Sequence, residues 1–136
     1  MLQSKQIVGI TTLLILDILW VGLFMSKQYE NMIPRIQCGN EMRVKFPLAG
    51  LSYLLMVIGL VVFVLPNIRN LRNMDLVKDS LLYGFLFGVV LYGVYDLTAA
   101  AVIENWDMKL GVIDILWGGF VMFAAALVAG YSSADS

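Results

Sequence analysis

Four runs of mostly apolar residues take up most of this sequence, at about 6–26, 46–65, 80–103 and 109–130. A bilayer core about 30 Å thick takes about 20 residues of helix to cross, so each run is long enough to span it. In lipid every backbone N–H and C=O must be satisfied within its own segment or in a closed barrel. No strand-like alternation is present, so a barrel is disfavoured. The expectation is an all-α, integral membrane four-helix bundle, one domain over 1–136, with both termini on the same side. The first run is longer than a typical leader h-region, carries Asp17 and is followed by no A-x-A-like site, so it reads as a retained helix.

Composition agrees. The chain is 60% hydrophobic and 14% charged, with a mean hydropathy of +0.84; soluble domains run near 45–50% apolar and about 25% charged. A net charge of −1 gives no electrostatic case for nucleic acid. The absence of histidine removes the commonest general base and metal ligand. Cys38 is the single cysteine, so no internal disulfide and no cysteine metal set can form. No cofactor and no metal is expected. The expected partners are the lipid bilayer and a second copy or a membrane-complex subunit. Lysine and arginine do not orient the chain: Lys5, Arg69, Arg72 and Lys78 fall on the terminal side, and Lys27, Arg35, Arg43, Lys45 and Lys109 on the other. The longest link, 27–45, reads as holding a short interfacial helix ended by Pro34, and Pro66 reads as the stop of the second span. The short link at 104–109 makes spans three and four antiparallel neighbours.

Asp17, Asp96 and Asp114 lie inside the apolar runs. At 1.5 Å per residue, Asp96 and Asp114 sit about 7–8 Å from the midplane, towards the 104–109 turn. Asp17 sits just past the midpoint of its span, towards the 27–45 loop, which faces the same side. All three therefore fall in one half of the bilayer. An aspartate at a helix centre costs about 2.5–3.5 kcal/mol on insertion scales, so the three are expected to share one polar pocket. Ser52 and Tyr53 are the polar groups the second span can add, and Tyr92, Tyr95 and Thr98 those of the third.

Helical spacing points the same way. Steps of four through Asp96 give Gly84, Gly88, Tyr92 and Ala100, and steps of three and four through Asp114 give Gly111, Gly118, Val121 and Ala125. Stripes of small residues let membrane helices approach closely. Trp20 and Trp117 follow Asp17 and Asp114 by one turn, in LDILW and IDILW. Trp20 reads as an interfacial anchor. Trp117 lies deeper, where its N–H needs an acceptor such as Asp114 or a carboxylate on a neighbouring helix. Trp106 reads as a belt residue.

The stretches LDILWVG (16–22), Tyr29, YLLMVIGLVVFVLP (53–66), YGVYDLT (92–98) and IDILWGG (113–119) resemble the DUF2177 family of small predicted membrane proteins, over about residues 5–130. Ala99 stands where that pattern usually has asparagine. The resemblance implies a four-helix membrane domain and carries no established activity. The leading expectation is a structural or accessory membrane protein with a buried aspartate cluster. The alternatives are an oligomeric proton- or cation-linked carrier and a membrane enzyme acting on a lipid-like substrate.

Overall fold

The computed structural model describes residues 3–36, 45–104 and 106–134, with backbone alone at 33–36. Four helices are long and apolar enough to cross a membrane: α1 (Ser4–Met32), α2 (Phe46–Asn67), α3 (Met74–Val102) and α4 (Met108–Ser132). The described residues contain no strand.

Local chemistry sets the helix ends. Asn73 caps α3 by accepting a hydrogen bond from the Asp75 N–H (3.0 Å), and Asp107 caps α4 through the Lys109 N–H (2.9 Å). Pro47 occupies the first turn of α2, where its missing N–H costs nothing. The separate interfacial helix expected after the first span does not form: α1 continues as Ser26–Ile36, its helical backbone running past Pro34. Cys38, Arg43 and the rest of 37–44 lie outside the described residues. Pro66 sits in a final 3₁₀ turn, Leu65–Asn67, and ends α2 as expected. The third helix starts earlier than its apolar run, at Met74, and so includes Lys78 and Asp79.

α3 and α4 pack along the small-residue seam. A Cβ on Gly84 would lie 2.8 Å from the Met122 carbonyl oxygen, one on Gly88 2.0 Å from the Gly118 carbonyl oxygen, and one on Gly111 3.6 Å from the Asp96 Cβ. The partners descend along α4 as the residues ascend α3, so the two helices are antiparallel neighbours. α1 also runs antiparallel to α4: a Cβ on Gly9 would lie 3.4 Å from Ala129, Asp17 bonds Trp117, and the Asp107 N–H lies 3.3 Å from the Met32 sulfur. Leu13, Leu60, Val64, Val121, Met122, Ala125, Ala126 and Ala129 form a fully buried core.

The first half of α2 stands apart. Leu48, Leu51, Leu54, Leu55 and Ile58 are exposed, while Leu60, Val64 and Leu65 in its second half enter the core. α2 is thus anchored at its C-terminal end. There the link to α3 is clamped: Asp79 accepts hydrogen bonds from Arg69 Nε (2.9 Å), Nη2 (3.0 Å) and backbone N–H (3.1 Å). These bonds push the Arg69 pKa above the ordinary guanidinium value. The Lys5 ammonium donates to the Ile68 carbonyl and ties the start of α1 to the same link.

Candidate functional site

Asp17, in the middle of α1, is 4% exposed. Its Oδ1 accepts hydrogen bonds from the Tyr92 hydroxyl of α3 at 2.8 Å and from Trp117 Nε1 of α4 at 3.1 Å. One carboxylate oxygen therefore joins three helices. Gly118 makes this possible: a Cβ there would lie 2.2 Å from Tyr92 Cγ, so only glycine leaves room for the ring whose hydroxyl reaches Asp17. Trp117 finds its acceptor on a neighbouring helix, one of the two options its depth left open.

The two DILW segments meet head to tail. The Trp20 and Trp117 rings stack at 4.6 Å with planes 9° apart, so Trp20 packs inside the bundle and does not serve as an interfacial anchor. Its ring also stacks on Phe24 at 4.6 Å. Across this pair Trp117 bonds Asp17, and Trp20 faces Asp114. The second half of the exchange is incomplete, because Trp20 Nε1 is buried and stays outside hydrogen-bond geometry. Antiparallel packing of α1 on α4 brings the two similar segments into this crossed arrangement.

Asp17 and Asp114 share a cavity of about 380 Å³ between α1, α2 and α3, with Asp114 of α4 in its wall. Val21, Met25 and Tyr29 line it from α1, Ala49, Ser52, Tyr53, Leu55 and Met56 from α2, and Leu91, Tyr92 and Tyr95 from α3. It lies beside the loosely packed first half of α2, and Leu55, Tyr95 and Val21 at its edge are exposed. The opening is therefore lateral, towards what would be lipid. The α1 wall was missed in the sequence although its signal is present: Asp17, Val21, Met25 and Tyr29 recur every four residues. In an α-helix such steps drift by about 40° each. The wide π-type turn at Val21–Met25 takes up part of the drift and keeps the row on one face. Similar turns occur at Leu60–Val64 and Ser80–Phe85.

The other expected site residues divide. Asp96 does not line the cavity. It is 1% exposed, on the α3–α4 seam beside Gly111, and its carboxyl lies against that of Asp114 with no N–H or hydroxyl donor from any other described residue. The three aspartates are thus neighbours, but only Asp17 and Asp114 open on the cavity. Thr98 is exposed, because two residues past Asp96 a helix has turned by about half a circle. Ser52 and Tyr53 line the cavity as expected. Gly84, Gly88, Gly111, Gly118 and Ala125 are all buried, the first four at the α3–α4 contact. Trp106 is half-buried against Tyr95 (6.1 Å) and Tyr29 (6.3 Å), with its Nε1 enclosed and unpaired, so it is a packed residue and not a simple belt residue. Among the described residues no three carboxylate or cysteine side chains lie close enough to hold a metal ion.

The fold and site define a small multi-pass integral membrane protein with a laterally open intramembrane cavity. The chain belongs to the DUF2177 family, described as predicted membrane proteins, whose model matches residues 5–131. No curated protein and no solved structure matches it.

Proposed function

We propose that this protein binds a small amphiphilic molecule within the membrane, entering sideways beside the first half of α2. The observation that carries this reading is the cavity of about 380 Å³ that holds the carboxyls of Asp17 and Asp114 in an otherwise apolar and aromatic wall. That volume lies in the range of small-molecule sites, about 300–1,000 Å³ lined by apolar groups with a few polar ones. Carboxyls inside a membrane mark functional positions because they are expensive to keep there. A carrier or a membrane enzyme would begin from the same binding step.

The test is photo-crosslinking in bilayers with a single-chain lipid probe bearing a diazirine on its tail. Met25 (1% exposed) and Met56 (9% exposed) line the cavity and are shielded from lipid by the bundle. Labelling at these two residues is expected. Labelling confined to outward residues such as Leu48 and Leu54 would overturn the reading.

A second reading, that the polar groups only fasten the bundle, is favoured by Asp17, whose Oδ1 is satisfied by two donors. It does not account for the cavity itself, on which both Asp17 and Asp114 open.

A further inference from the structure

Six side chains around the cavity belong to two chemical kinds: the carboxyls of Asp17 and Asp114 and the phenol rings of Tyr29, Tyr53, Tyr92 and Tyr95. No lysine or arginine is among the described residues that line it. Carboxyls facing an apolar cavity call for a cation or a strong donor. Aromatic faces attract cations through their quadrupole, and they do so best when water is excluded. A bare metal ion is a poor fit, since the described residues offer no set of three ligands. A phosphate would stand beside two carboxyls with no cation among the described lining residues to offset it, which argues against a phospholipid headgroup.

From this arrangement we propose that the ligand is an alkylammonium amphiphile: one cationic amine without phosphate, on a hydrocarbon tail. This rests on the binding reading above and adds the headgroup chemistry. The ammonium sits against Asp114, whose carboxyl opens on the cavity, within reach of the tyrosine faces. The cavity volume holds the headgroup and the first methylenes, and the remaining tail leaves beside α2 into the lipid.

The experiment uses the full-length protein in lipid nanodiscs and reads tryptophan fluorescence, since Trp20 and Trp117 stack beside Asp17. The probes are dodecyltrimethylammonium and uncharged dodecanol, which have equal tails. Wild-type protein is expected to bind the ammonium about tenfold more tightly than the alcohol, since only the cation gains from the Asp114 carboxyl together with the tyrosine faces. Asp114→Asn is expected to remove most of that preference by weakening the ammonium's binding. If Asp114→Asn does not fold, Tyr53→Leu on the loosely held half of α2 decides, and it is expected to reduce the preference. Equal binding of both probes to wild type, or a preference that survives undiminished in the folded variant, would overturn the ammonium assignment and leave the binding reading standing. Binding of neither probe would overturn both.

Discussion

Removing the Tyr92 hydroxyl tests how firmly Asp17 is held. That hydroxyl donates to Asp17 Oδ1 at 2.8 Å, and Trp117 Nε1 donates to the same oxygen at 3.1 Å. Tyr92→Phe keeps the ring in the cradle that Gly118 provides and deletes only the donor. A hydrogen bond to a charged group contributes about 1.5–3 kcal/mol in soluble proteins. Within membranes, measured side-chain bonds average about 0.6 and reach about 1.7 kcal/mol, because the unfolded helices also find partners. The short contact and the buried acceptor favour the upper part of the membrane range, while the surviving Trp117 bond limits the loss. The expected destabilisation is about 1–1.5 kcal/mol. The assay is reversible unfolding in mixed micelles, run as a double-mutant cycle with Asp17→Ala so that packing changes cancel. A coupling energy near 1 kcal/mol is expected; one below about 0.3 kcal/mol, within the scatter of independent sites, would refute the reasoning.

Three further outcomes follow from the packing. Gly88→Ala places a Cβ 2.0 Å from the Gly118 carbonyl oxygen and forces α3 away from α4, whereas Gly93→Ala meets nothing within 4 Å; the first should lose about 1–3 kcal/mol and the second should be neutral or stabilising in the same unfolding assay. Asp96→Val removes a buried carboxyl that no N–H or hydroxyl caps, so it should raise stability by about 1–3 kcal/mol; a loss of stability would show that pairing of the Asp96 and Asp114 carboxyls fastens α3 to α4. Arg69→Gln should lower the melting midpoint by loosening the α2–α3 clamp, and by less in about 1 M salt, because the Arg69 side chain is 57% exposed.

The number of helices, the small-residue seam and the common level of the aspartates were legible because they depend on length, spacing and rise per residue, which a sequence carries directly. Along the seam Gly88, Tyr92 and Asp96 meet Gly118 and Gly111, while Gly84 meets Met122 and Ala126, one residue on from the Val121 and Ala125 that helical spacing put there. What was not legible depends on how helices rotate against one another. Spacing put Asp96 and Asp114 on the inner faces of their helices, but only packing decides that Asp114 opens on a cavity while Asp96 is sealed in the seam. Trp20 looked like an interfacial anchor because depth alone was visible; its stacking on Trp117 requires knowing that α1 and α4 are neighbours. Tyr29 fell outside the first apolar run, and the continuous helix that carries it to the cavity passes Pro34, which reads in sequence as a stop.

The central claim is that Asp17 and Asp114 line a cavity that an amphiphile enters from the bilayer. Its most direct test is thiol protection in a Cys38→Ser background, with single cysteines at Ser52, in the cavity wall, and at Leu54, exposed on the same helix. The rate of modification by a membrane-soluble maleimide is measured with and without dodecyltrimethylammonium. Slower reaction at position 52 alone, with the protection lost in Asp114→Asn, is the expected result. Equal rates at both positions with and without the amphiphile would contradict the claim.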